Sequence, residues 1–144
     1  MKKPDTDCKK HPDAWHRSVP NCLPDVVAAA SDVAEQLRQH GVSATAAHAV
    51  HFAIEEILTN TVRYSRAAQP TQIAIALRND AVVVEIEDDG QPFDPLQLPA
   101  PQLSANLDDR QAGGLGIHLV RKMVSSLAYE RRHNRNHITI TVAR

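Results

Sequence analysis

The sequence predicts an α+β two-layer sandwich, with three helices packed on one face of a mixed, largely antiparallel sheet. Three observations carry this. Three segments repeat apolar residues at intervals of three and four, and several others alternate with a period of two. Their order is strand, helix, helix, strand, strand, loop, helix, strand, strand, which leaves too few strand-crossover-strand units for a doubly wound sheet. At 144 residues the chain has the size of one domain, and with 42% hydrophobic but only 3% aromatic residues its core must be built from Val, Ile, Leu and Ala.

Residues 1–15 carry Lys, Asp, Pro and His without periodicity and are expected to form a loose arm, leaving 16–144 as the folded domain. Within and beyond the arm, Cys8, His11, His16 and Cys22 are all zinc-ligand types. Their spacing lacks the close pairs of a zinc site, and the N-terminal tail lacks the helix or strand that would fix the ligands, so both cysteines are read as reduced thiols. "HRSVP" offers a short first strand. Pro24 suits a first helical turn, and Val26, Val27, Ala30, Val33, Ala34 and Leu37 then form an apolar stripe that Gly41 ends.

Ser43 is a fitting cap for a second helix through Ser65, whose stripe is Val50, Ala53, Ile54, Ile57 and Thr61. The period then changes to two. Ile73, Ile75 and Leu77 share one face of a strand, and Val82, Val84 and Ile86 share one face of its antiparallel neighbour across an Asn79-Asp80 turn. A long segment with Pro92, Pro95, Pro99 and Pro101 follows, longer than a compact domain carries without a reason. A third helix is predicted from the glycines at 113–116 to Leu127, and a closing hairpin is predicted around Asn134 to Asn136.

The net charge of −1 supplies no field for nonspecific binding to nucleic acid or membrane, and no apolar run approaches membrane-spanning length. A cytoplasmic location is the resulting expectation.

Three clusters carry chemistry. Glu56 and Asn60, four apart on the second helix, stack on one side and could meet one ligand, although a solvated helix face has the same pattern. In "EIEDDG", Asp88 shares a face with Ile86, so if Ile86 faces the helices Asp88 is a carboxylate at the core rim that must be met by donors. Gly90 then permits close approach to the backbone. Gly113, Gly114 and Gly116 lead into a helix N-terminus, where unpaired N–H groups and the helix dipole favour an anion such as phosphate.

In this order and spacing, "EEILTNTVRYS", "EDDGQPFDP" and "GGLGIHLVRKMV" resemble the motifs of the GHKL (Bergerat-fold) ATPase superfamily, and within it the small stand-alone anti-sigma-factor serine/threonine kinases of bacteria. The resemblance implies ATP and Mg as ligands. Asn60 would ligate the Mg, Glu56 would be the general base, Asp88 would accept from the adenine amino group beside Gly90, and Gly113, Gly114, Leu115 and Gly116 would contact phosphate, with the prolyl segment as a lid. It further implies that the protein phosphorylates a small anti-sigma-factor antagonist protein, with a sigma factor and a second copy of the chain as further partners. The alternative is a nucleotide-gated protein-binding module without phosphoryl transfer. The resemblance leaves the second adenine contact between His137 and Thr139.

Overall fold

The computed structural model describes residues 14–98 and 114–144. Most of the expected arm lies outside them, and the first strand, β1 (Trp15–Val19), already includes Trp15. Helix α1 (Leu23–Gln39) has Pro in its first turn and buries Val26, Ala30, Val33, Ala34 and Leu37. Val27, expected in that stripe, is 49% exposed, because one step along a helix turns a side chain about 100° from its neighbour. The helix stops where Gly41 takes φ +81 and the Val42 N–H returns to the Leu37 carbonyl at 3.0 Å.

Helix α2 (Ala44–Asn60) begins with the Ser43 hydroxyl accepting from the Ala46 N–H at 3.2 Å, as the cap requires. Its stripe of Val50, Ala53, Ile54 and Ile57 is buried. The sequence suggests one continuous helix to Ser65. In the structure the last turn, Thr61–Ser65, is π-helical and ends at Arg66 with φ 53. A wider turn of this kind re-aims the groups that follow it, and such turns gather at functional sites.

Strands β2 (Thr71–Leu77), β3 (Ala81–Asp88), β4 (Ser126–Arg132) and β5 (Arg135–Ala143) complete a five-stranded sheet of order β1-β2-β3-β5-β4. Every pairing is antiparallel, so the mixed sheet expected from the sequence is wholly antiparallel. Val84 stands between Ile75 and Ile140, and Ile86 between Ile73 and Ile138. Together with α1 and α2 these rows form the core, each fully buried side chain contributing about 1.5–3 kcal/mol of transfer free energy. The sheet's opposite face carries the alternate residues, among them Gln72, Glu85, Glu87, His137 and Thr139.

Two sequence expectations are corrected at the C-terminal end. Helix α3 (Gly114–Met123) stops before Val124, and Leu127 belongs to β4, where Leu127 and Tyr129 alternate with Ala128 and Glu130. The closing turn is His133-Asn134, both left-handed with φ 51 and 57, the geometry a two-residue hairpin demands. Asn136 is thereby moved out of the turn and into β5, directly opposite Asp88.

Candidate functional site

The two adjacent aspartates divide as strand alternation requires. Asp88 ends β3 on the helix-facing side and is 3% exposed. Its Oδ1 accepts from the Gly90 N–H at 2.9 Å and from Asn136 Nδ2 at 3.0 Å. Among the described residues no donor reaches Oδ2. Asp89 turns to the loop after α2, where its Oδ1 accepts from the N–H groups of Ala68 and Gln69 at 3.0 and 3.1 Å. One acid therefore staples a loop, while the other is held at the rim of the core.

Gly90 is where the backbones meet most tightly. A Cβ there would lie 2.3 Å from the Ser65 carbonyl oxygen, 2.6 Å from Ser65 Oγ and 2.8 Å from Asp88 Oδ1. The approach is locked by the Gln91 N–H donating to the Ser65 carbonyl at 2.7 Å and by Gln91 Nε2 donating to the Tyr64 carbonyl at 2.8 Å. The π-helical turn thus ties the end of α2 to the end of β3, and with it the helix that carries Glu56 and Asn60 to the strand that carries Asp88. Ser65 Oγ is buried without a partner among the described residues.

Glu56 lies where α2 and α3 pack. A Cβ on Gly116 would stand 1.8 Å from Glu56 Oε2 and 2.5 Å from its Cδ, so the glycine leaves the space the carboxylate occupies. Burial pushes the Glu56 carboxyl above its ordinary value, with the charge of Glu55 adding to the rise and Arg63 opposing it. Glu55 itself falls on the other flank and pairs with His51 at 3.1 Å. Asn60, one turn after Glu56, is 1% exposed, and its Nδ2 has no partner among the described residues. Such a group is costly unless a ligand satisfies it. Gly114 and Leu115 open α3, whose first N–H groups have no acceptor within the helix. Gly113 and the prolyl segment from Pro99 lie outside the described residues.

His137 and Thr139 are corrected as candidates for a second contact beside Asp88. Asn136, Ile138 and Ile140 take the helix-facing positions of β5, so His137 and Thr139 point to the other side of the sheet. They line a cavity of about 500 Å³ there with His16, Gln72, Glu85 and Glu87, and His137 Nδ1 lies 3.5 Å from Glu87. Of the residues hydrogen-bonded around Asp88 only Tyr129 borders that cavity. His16 lies in β1, and Cys22 precedes α1 with its thiol bonded to Asp25, so the two do not converge. No group of three or more His, Cys, Asp or Glu suited to a metal occurs among the described residues. A metal here would rest on the Asn60 amide and on ligand oxygens, which suits Mg²⁺, a cation that keeps several oxygen ligands from water or phosphate.

Sequence reasoning missed Asn136, whose Oδ1 accepts from Tyr129 Oη at 2.7 Å, Arg131 Nη1 at 3.1 Å and the Phe93 N–H at 3.2 Å. It also missed Ser65. The signal for Asn136 is a polar residue in step with Ile138, Ile140 and Val142, which becomes visible only once the turn is placed at His133-Asn134. For Ser65 no local signal exists, because Gly90, the backbone that packs on it, is 25 residues away.

Residues 20–142 match the family model described as the histidine kinase-like ATPase domain. Over 90 residues, 60% of this chain, the sequence is 38% identical to a serine/threonine-protein kinase, BtrW, of Bordetella bronchiseptica, and the match spans 63% of that relative. Among solved structures, the RsbU and RsbW domains of Rv1364c from Mycobacterium tuberculosis superpose with a TM-score of 0.65 at 16% identity, over 91% of this chain and 33% of that one. The Erythrobacter litoralis EL346 blue-light activated histidine kinase gives a TM-score of 0.51 at 14% identity, over 88% of this chain and 45% of that one. At such identities the likeness is one of fold.

Proposed function

Since this chain belongs to the histidine kinase-like ATPase domain family, we propose that it is an ATP- and Mg-dependent protein serine/threonine kinase that phosphorylates a small anti-sigma-factor antagonist protein. The observation that carries the reading is the contact between Gly116 and the Glu56 carboxylate, which puts an acid with a raised pKa against the helix whose N-terminal N–H groups suit phosphate. A module that only bound nucleotide would have no use for a desolvated acid at that place.

In this reading Asp88 Oδ2 accepts from the exocyclic amine of adenine, and the N–H groups of Gly114, Leu115 and Gly116, with Gly113 before them, hold phosphate oxygens. Asn60 offers its Oδ1 to Mg²⁺, while Nδ2 gains a partner. When bound, Mg²⁺ offsets charge on the transferring phosphoryl group. Glu56 accepts the proton of the substrate hydroxyl as the new bond from its oxygen to the γ-phosphorus forms and the bond to the β,γ-bridging oxygen breaks, leaving ADP. The raised pKa makes Glu56 a stronger base than a free carboxylate.

The kinase assignment is supported by the relative named a serine/threonine-protein kinase, and the antagonist substrate by the resemblance of the three motifs to anti-sigma kinases. Incubation with γ-labelled ATP, Mg²⁺ and a candidate antagonist tests both. Label on a Ser or Thr of the antagonist, lost in Glu56→Gln, is the expected result. Tight Mg-ATP binding with no transfer to any candidate replaces the kinase by a nucleotide-gated binding module.

A further inference from the structure

We infer that Asn136 is the positioning residue that makes the site select a 6-amino purine over a 6-keto purine, by fixing which oxygen of Asp88 faces the ligand; this rests on the nucleotide-binding reading above. Asn136 is 1% exposed and stands opposite Asp88 in the β3–β5 register. The orientation of its amide is determined by its partners. The Phe93 N–H and the Arg131 guanidinium can only donate, so the atom they reach must be the amide oxygen. The Gln91 carbonyl, 2.9 Å from the other end of the amide, can only accept, so that end must be Nδ2. Tyr129 Oη gives the amide oxygen a third donor, and burial pushes the Tyr129 hydroxyl up, which keeps its proton in place at neutral pH.

An amide held in this way presents N–H to Asp88 Oδ1, which also takes the Gly90 N–H. Two obligate donors on Oδ1 hold the carboxylate against rotation about χ2. Oδ2 is thereby the oxygen left to face the ligand, and a carboxylate oxygen accepts. A 6-amino group meets it with a donor, whereas a 6-keto group meets it with a second acceptor, and a site built around a hydrogen-bonding group rejects the analogue that lacks it. Arg131 braces the same unit from the outside. Its Nη1 donates to the Gly90 carbonyl at 2.7 Å as well as to Asn136, so the turn and the amide move together.

Calorimetric titration of the full chain with Mg-ATP and Mg-ITP, which differ at the purine 6-position by amino against keto, tests this in wild type and Asn136→Ala. Wild type should prefer ATP by tenfold or more. Asn136→Ala should lose most of that preference, with ATP affinity falling toward that of ITP. An equal loss for both nucleotides, leaving the ratio unchanged, overturns the inference and leaves Asn136 a structural residue. If wild type binds neither nucleotide, the nucleotide-binding reading itself fails. Where Asn136→Ala does not fold, Arg131→Leu carries the test: a reduced ATP-to-ITP ratio is expected, and an unchanged ratio overturns the inference.

Discussion

The two ends of the candidate site are built on opposite principles. Around Asp88, named donors and acceptors interlock: Gly90, Gln91, Phe93, Tyr129, Arg131 and Asn136 form a closed network in which each amide has one permitted orientation. Around Glu56 the pattern is inverted. A desolvated acid presses on a glycine, and one turn away a buried amide nitrogen lacks a partner among the described residues. The difference teaches where selectivity and chemistry belong. A rigid network that leaves one acceptor, Asp88 Oδ2, open is suited to reading the edge of a base, because it costs no reorganisation when the ligand arrives. A carboxylate kept from its preferred ionisation holds free energy that a reacting proton can use.

Glu56→Gln breaks the second region most severely. Phosphoryl transfer should fall by about 10²- to 10⁴-fold, the range for loss of a positioned general base, while Mg-ATP binding is retained. For wild type, transfer should rise with pH through the Glu56 ionisation, which burial sets higher than in a free glutamate, since the base form is required. Stability moves the other way. A carboxyl with a raised folded-state pKa binds its proton more tightly in the fold, so its cost to stability grows as pH rises from the unfolded toward the folded value and persists above it. Glu56→Gln should therefore raise the neutral-pH denaturation midpoint and lose that advantage in acid.

Gly116→Ala and Gly90→Ala sharpen the contrast, because one methyl group is added at each end. At 116 the new Cβ meets the far end of a flexible side chain, so Glu56 swings aside, and transfer should fall about 100-fold with little change in the urea midpoint. At 90 it meets the Ser65 carbonyl, which is backbone and cannot yield. The expected result there is a loss of about 1–3 kcal/mol in unfolding free energy. If both variants lost stability alike, the distinction between a poised end and a locked end would be gone. Ser43→Ala, at the start of α2 and remote from both ends, should cost about 1 kcal/mol in urea titration and leave nucleotide affinity unaltered.

How much of this was legible depended on whether the deciding interaction was local. The stripes of α1 and α2, the Ser43 cap, the Gly41 stop and the inward face of Asp88 all follow from periods and caps that lie within a few residues, and, Val27 apart, each stands in the structure as the sequence implies. Asn136 was not legible. In "HNRNH" several two-residue turns compete, and sliding the turn by one residue carries every following side chain to the other face of the sheet, so the inward face of Asn136 depends on a turn the sequence does not fix. The π-helical turn escaped because its buried residues, Thr61 and Ser65, are four apart and read as one more α-helical turn, and the packing of Ser65 on Gly90 escaped because nothing near either residue announces it. Leu127 was drawn into α3 because it fits helical spacing as well as strand alternation.

The central claim, that Asp88 offers one oxygen to a bound adenine in a single site shared with Asn60 and Glu56, is tested most directly by isothermal titration of wild type and Asp88→Asn with Mg-ATP. One site per chain is expected for wild type, with Asp88→Asn weaker by about 1–3 kcal/mol, the range for a buried hydrogen-bonding group left without its partner. Equal binding by the two proteins, or no heat from wild type, contradicts the account.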